Sequence, residues 1–139
     1  MQKDYPKQSY KLFVAWLAGF CVLVMLPALI PEKYVSEDII GKIVLAISML
    51  ALLLLFYIIY KTESVYWING TSYKDAAAAT SEQRKAFAMK HLKMFCTATI
   101  IYLIYTVIAY AVKTNLLLDA MVFSAVTIIA AVKTISIKL

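Results

Sequence analysis

The sequence predicts an all-α, polytopic membrane protein: a four-transmembrane-helix bundle with short amphipathic cytoplasmic helices between helices 2 and 3. Apolar residues make up 63% of the 139-residue chain, whereas charged residues make up 16%. Four long apolar stretches each approach the roughly 20 residues that a helix needs to cross a bilayer. They cover about residues 12–30, 43–60, 94–112 and 116–132, and Asp119 is the only charged residue within them.

The segments between these stretches predict a single integral membrane domain over residues 1–139. The longest of them, the loop at 61–93, is too short to bury a core of its own. The link from Lys113 to Asn115 is so short that the third and fourth stretches should form a tight antiparallel hairpin. Pro27 should kink or end the first helix.

Two helix-start signals follow one another in the loop. Each is a capping box, in which a hydroxyl residue precedes an acid or amide by three positions. They predict a short helix over residues 73–79 and a second helix that begins at Ser81 and continues into the third stretch. The pairs are Ser72 with Asp75 and Thr80 with Gln83.

The distribution of basic residues predicts the orientation, because short loops rich in Lys and Arg stay on the cytoplasmic side. Eleven of the 14 basic residues precede the first stretch, lie in the loop at 61–93 or follow the fourth stretch. We therefore expect a multi-pass protein of the cytoplasmic (inner) membrane with both termini in the cytoplasm. The positive charge indicates anionic lipid headgroups of the bilayer as partners, and no nucleic acid. Thirteen of the basic residues are lysines, which favours a bacterial source.

Six residues of the loop are candidates for contact with lipid or with a protein partner. The basic ones would lie at headgroup level, where each contributes about 1 kcal/mol of attraction to anionic lipid. The plainer alternative is that they only orient the third span. The aromatic ones are typical of an interfacial belt, with a docking platform for a peptide or a ring-bearing ligand as the alternative. The six are Arg84, Lys85, Lys90, Lys93, Tyr66 and Trp67.

Polar side chains inside the apolar stretches need partners because water is absent there. In the third stretch, Tyr102 and Tyr105 share one helix face with two alanines. The fourth stretch runs back, which brings Ser124 and Thr127 to about the depths of Tyr105 and Tyr102. We expect hydrogen bonds across the hairpin at these two levels. The alternative is that this hydroxyl stripe forms a polar pathway for a small solute.

Asp119 is a separate candidate, because an acid inside an apolar stretch is rare. It lies about one turn from the outer end of the fourth stretch, where Lys113, Lys42 or the hydroxyl of Tyr110 could reach it. We interpret it as an interfacial cap or one half of a loose ion pair. A proton or cation site is the alternative.

Residues that could carry catalysis are few. The chain has one His and two Cys, no glycine-rich phosphate loop and no cluster at metal-ligand spacing. His91 lies beside Lys90 and Lys93, which is typical of a surface or packing residue. We predict a protein that is not an enzyme, with no catalytic residues, no metal and no cofactor.

Two main functional hypotheses follow. In the first, the protein is a small non-enzymatic accessory component that binds a partner through its basic cytoplasmic loop; the partner is another membrane protein or a second copy. In the second, copies assemble into an oligomeric channel or carrier lined by the hydroxyl stripe of the third span. A membrane-perturbing effector is a further alternative. The first is favoured because transport of charged solutes normally requires a charge at mid-depth.

Overall fold

The computed structural model describes residues 5–31 and 33–139, and these residues form helices and connecting turns without any strand. Four helices are long and apolar enough to cross a membrane, which confirms the predicted all-α class. Lys3, one of the eleven basic residues assigned to the cytoplasmic side, lies outside the described residues. The helices are α1 (Lys11–Met25), α2 (Glu37–Thr62), α3 (Tyr73–Ala78), α4 (Ser81–Val112) and α5 (Leu116–Ile135), with single 3-10 turns at Pro27–Leu29 and Val65–Trp67.

Helices α2 and α4 extend well beyond their apolar stretches. Helix α2 begins at Glu37, where Glu37 and Asp38 place negative charge in the first turn and so favour the positive end of the helix dipole. Helix α4 continues without a break from Ser81, as predicted. Its 32 residues span about 48 Å, which is longer than the roughly 30 Å of hydrocarbon in a bilayer.

Both predicted helix starts are present as complete capping boxes. Ser72 Oγ accepts a hydrogen bond from the backbone N–H of Asp75 at 3.0 Å. Thr80 Oγ1 accepts one from the N–H of Gln83 at 3.2 Å, and Gln83 Oε1 accepts one from the N–H of Thr80 at 2.8 Å. The short helix α3 ends one residue before the predicted boundary.

The breaks at Pro27 and at the 113–115 link also follow the prediction. Helix α1 ends at Met25 and the chain continues as a single 3-10 turn that begins at Pro27. Lys113 ends α4 with a left-handed backbone (φ 57°), and the side chain of Asn115 caps α5 by accepting the N–H of Leu118 at 2.9 Å. Helices α4 and α5 therefore form a tight hairpin.

Helices α2, α4 and α5 form the core of the bundle. Midway along it, the buried side chains of Met49, Phe95, Tyr102 and Ala130 pack together. Helix α1 packs on the outside of α2. The structure describes every residue of α1, and none of them is buried. We call the end of the bundle that carries residues 63–80 the loop end, and the end that carries residues 113–115 the hairpin end.

Candidate functional site

A buried ion pair organises the loop end. Arg84 is 4% exposed, and its Nε donates to Glu63 Oε2 at 2.8 Å. Its Nη1 donates to the carbonyl oxygens of Ala76 at 3.1 Å and Ala79 at 2.5 Å. Ser81 Oγ donates to the other Glu63 oxygen at 2.7 Å. One guanidinium thus joins the end of α2, the helix α3 and the first turn of α4.

The charge state of Glu63 follows from these contacts. Burial alone would raise the pKa of this carboxyl, but hydrogen bonds from Ser81 and Arg84 and the nearby positive charges outweigh it and lower the pKa. Glu63 is therefore ionised at neutral pH and neutralises Arg84. Arg84 was expected at headgroup level as a contact residue, and the structure corrects that expectation because its charged group is buried and bonded internally.

The three lysines of the same candidate set lie at the surface. Lys85 is half exposed, with its Nζ 3.6 Å from Glu63 Oε1. Lys90 and Lys93 are exposed on α4. His91, between them in sequence, points the opposite way and is buried. The structure thus separates a basic outer face of α4 from a buried imidazole.

The aromatic residues at the loop end contact the chain's own N-terminal segment. The hydroxyl of Tyr66 donates to the carbonyl of Ser9 at 2.8 Å and accepts the N–H of Ser9 at 3.0 Å. The indole N–H of Trp67 also donates to Ser9 at 3.3 Å. The ring of Tyr10 packs edge-on against Tyr66. The surface considered as a docking platform for a peptide therefore holds residues 5–10 of the same chain.

Tyr5 links this segment to the ion pair. Its hydroxyl donates to the backbone carbonyl of Glu63 at 2.8 Å, and its ring lies 4.2 Å from the Arg84 guanidinium carbon. Burial raises the pKa of Tyr5 to about 12, so the hydroxyl stays protonated and donates. We call residues 5–10 and residues 63–93, which include the first turns of α4, together the loop cap.

A second buried ion pair lies at the hairpin end. Asp119 is 1% exposed and Lys42 is 5% exposed, and Lys42 Nζ lies 2.5 Å from Asp119 Oδ2. The hydroxyls of Tyr105 and Thr114 donate to Asp119 Oδ1 at 2.8 and 2.6 Å. Lys42 also donates to the backbone carbonyl of Thr114 at 2.6 Å. This pair joins α2 to both arms of the α4–α5 hairpin.

The structure selects one of the three partners expected for Asp119. Lys42 forms the pair, whereas Lys113 and Tyr110 are exposed. The pair is buried and fully hydrogen-bonded, so the expectation of a loose ion pair is wrong. No group of three or more His, Cys, Asp or Glu in residues 5–31 and 33–139 is placed to hold a metal ion. The geometry favours a structural clasp.

The two hydroxyl pairs expected across the hairpin do not form, although Tyr105 bonds across it to another residue, Asp119. Ser124 Oγ donates to the carbonyl of Ala120, and Thr127 Oγ1 donates to that of Phe123, both at 2.8 Å within α5. Ser and Thr in helices commonly bond the carbonyl four residues back. Tyr105 bonds Asp119 instead of Ser124, and buried Tyr102 packs edge-on against a ring of α5. The predicted cross-hairpin hydrogen bonds are therefore wrong.

Comparison with known proteins gave no match to a family model, to a curated protein or to a solved structure. The functional argument therefore rests on the two ion pairs, the loop cap and the surfaces beside them.

Proposed function

We propose that the chain is a non-enzymatic component of the cytoplasmic (inner) membrane that binds a membrane-protein partner through the basic face of its loop cap. In this proposal α1, α2, α4 and α5 cross the bilayer, and both termini and the loop end lie in the cytoplasm. The excess of basic residues at the loop end supports this orientation. A second copy of the chain is one possible form of the partner.

The observation that carries the proposal is the pre-organisation of the loop cap. An anchor for α4 needs only lysines near the membrane surface. It does not need a buried Arg84–Glu63 pair, two capping boxes and an N-terminal segment bonded to Tyr66. A surface that is already ordered loses less conformational entropy when it binds. The loop cap is therefore suited to recognition.

The exposed charges indicate the chemistry of the partner. With Arg84 neutralised by Glu63, the positive charge of the first turns of α4 comes from Lys85, Lys90 and Lys93. Charges at the rim of an interface steer association and select partners of opposite sign. We infer a partner that carries acidic residues next to the membrane surface, with anionic lipid headgroups as the competing ligand of the same lysines.

The hypothesis of a channel or carrier has less support. The hydroxyls of Thr97, Thr99 and Thr106 each donate to the carbonyl four residues earlier in α4. Tyr102 is buried and Tyr105 is bonded to Asp119. These hydroxyl groups already pack or form hydrogen bonds within the chain, so few of them are free to bind a solute. No contact of the described residues favours a membrane-perturbing effector.

Photo-crosslinking in intact cells tests the proposal. A photoreactive residue at exposed Ala86 lies on the same side of α4 as Lys90 and Lys93. We expect one discrete adduct, identified by mass spectrometry as a membrane protein or a second copy. The adduct should be lost when Lys90 and Lys93 are both changed to Gln. The matched control is Lys113→Gln, at the opposite end, which should retain it.

Two results would contradict the proposal. One is the absence of any protein adduct at Ala86 while the chain is folded and inserted. The other is an adduct whose yield does not change when the two lysines are removed. Adducts to lipid alone would assign the basic face to the bilayer surface.

A further inference from the structure

We propose that a cleft at the loop end, between α2 and α5, binds a single-chain amphiphile with a hydroxyl head, such as a long-chain alcohol or a monoacylglycerol. His91 is the residue that accepts the hydrogen bond of that hydroxyl. This inference does not depend on the proposed partner, because the cleft lies on another face from Lys85, Lys90 and Lys93.

The cleft lies beyond the contacts that join α2 to α5 at the hairpin end and midway along the bundle. At the hairpin end, Lys42 pairs with Asp119, and a Cβ at Gly41 would collide with the side chain of Leu116. The two helices are therefore in direct contact there. Towards the loop end they separate, and α4 forms the back of the gap between them.

The volume and lining of the cleft suit a hydrocarbon chain. Its volume is about 880 Å³, within the roughly 300–1,000 Å³ of sites that bind small molecules. Apolar side chains of all three helices line the cleft, and its rim towards the loop end, formed by the loop and the segment after α5, mixes polar with apolar side chains. Apolar lining residues include Leu55, Phe56, Ile59, Phe95, Ile128 and Ile135; the rim carries Asn69, Thr71, Asp75 and Lys138.

His91 supplies a polar atom where the apolar wall meets the rim. The residue is 2% exposed and lines the cleft, with its ring against Phe87 and Phe56. Its Nδ1 lies 3.0 Å from the carbonyl of Phe87, which can only accept a hydrogen bond. Nδ1 therefore carries the proton in the neutral ring, and Nε2 carries a lone pair. Among the described residues, no protein group donates to Nε2.

This geometry selects the head group of the ligand. A lone pair in an apolar wall attracts a hydroxyl donor and repels a phosphate or carboxylate oxygen. The charged groups of the rim are one cation, Lys138, and one anion, Asp75, which is bonded to Ser72. They provide no net charge to hold an anionic head. With the hydroxyl at His91, the chain would extend along Phe95 towards Ile128.

Quenching of Trp67 fluorescence tests the site, because Trp67 lines the cleft. The chain contains two tryptophans, so Trp16→Phe leaves one reporter. The protein in lipid nanodiscs is titrated with a brominated long-chain alcohol and, in parallel, with its methyl ether, which cannot donate. We expect saturable quenching by both probes, with the alcohol about fivefold tighter because of one hydrogen bond.

Three variants separate the contribution of His91 to probe binding from that of the apolar wall. His91→Phe keeps an aromatic ring and should reduce the alcohol to the affinity of the ether. Ala131→Phe adds a ring to the apolar wall, which narrows the cleft, and should weaken the saturable binding of both probes to the same degree. Ala111→Phe, at an exposed alanine of α4 at the hairpin end, is the matched control and should bind both probes normally.

Equal affinity for alcohol and ether in the unmodified cleft would overturn the role of His91, whether or not His91→Phe folds. Quenching that rises linearly with probe content, or affinities for both probes that do not change in Ala131→Phe, would overturn the site itself. Neither result bears on crosslinking at Ala86, so failure here is distinguishable from failure of the proposed function.

Discussion

Replacing Lys42 by Met should destabilise the protein more than any exposed substitution at the hairpin end. Met has a similar length but carries no charge. The change leaves the Asp119 carboxylate buried with only the hydroxyls of Tyr105 and Thr114 as donors. Removing one partner of a buried ion pair costs about 3–5 kcal/mol, because the other charge stays out of water without compensation.

A double substitution separates the electrostatic cost of the unpaired Asp119 charge from a simple loss of packing. Lys42→Met with Asp119→Leu removes both charges. The Thr114 hydroxyl can still donate to the carbonyl of Ala109, 3.4 Å away, so the Tyr105 hydroxyl is the buried group left without its acceptor. The Thr114 carbonyl loses its Lys42 donor, but Thr114 is only half-buried. An unpaired neutral polar group costs about 1–3 kcal/mol. The double variant should therefore be more stable than Lys42→Met alone. Lys113→Met, at an exposed lysine of the same end, should change the free energy of unfolding by less than about 0.5 kcal/mol.

The assay is reversible unfolding in mixed detergent micelles with increasing denaturing detergent, followed by circular dichroism. The order of stability that we expect is the original chain with Lys113→Met, then the double variant, then Lys42→Met. Unfolding of Lys42→Met at the same midpoint as the original chain would refute a buried clasp. Equal losses of stability in the single and double variants would refute an electrostatic origin of the clasp.

The loop cap gives three further predictions. Glu63→Gln should lower the free energy of opening of the loop cap by about 2 kcal/mol, because the charged acceptor of the buried Arg84 becomes neutral. Hydrogen exchange of α3 measures this change. Because the pKa of Glu63 is lower in the folded chain, its contribution to the stability of the loop cap is present above the unfolded pKa of about 4.3 and is lost as pH falls through the folded pKa. Hydrogen exchange at α3 should therefore accelerate in acid. An exchange rate that does not change with pH, once corrected for the intrinsic rate, would count against this role of Glu63. Tyr66→Phe removes the two hydrogen bonds between the Tyr66 hydroxyl and Ser9, so trypsin should cleave at Lys7 about tenfold faster. Tyr34→Phe, at an exposed ring, should leave the cleavage rate unchanged.

Features that depend on neighbouring residues could be predicted from the sequence. The capping boxes at Ser72 and Thr80, the break at Pro27 and the hairpin at 113–115 each involve residues within a few positions of one another. The four long helices follow from apolar stretches that only a helix can satisfy within a bilayer. These elements are present in the structure within a few residues of their expected positions, although α2 begins earlier than expected, at Glu37.

The site residues required knowledge of the packing. Lys42 and Asp119 are 77 positions apart, and sequence alone left three candidate partners. Arg84 was grouped with the surface lysines because the positive-inside pattern treats all basic residues alike. One signal could have separated it: it is the single Arg among thirteen Lys, and a guanidinium is the preferred group for buried, multiply bonded ion pairs.

Two other features had no clear signal in the sequence. Ser124 and Thr127 had correct depths for a cross-hairpin bond, but the nearer carbonyl within α5 competes successfully for each hydroxyl. The contact of Ser9 with Tyr66 joins residues 57 positions apart through a backbone group, which carries no residue-specific pattern. The cleft likewise depends on how α2 and α5 diverge.

Membrane topology is the property on which these proposals most depend, and cysteine accessibility measures it directly. In a background with Cys21 and Cys96 changed to Ser, single cysteines replace Lys85 at the loop end and Lys113 at the hairpin end. A membrane-impermeant thiol reagent applied to intact cells should label position 113, and should label position 85 only after permeabilisation. Labelling of both positions from the same side would contradict the four-span arrangement.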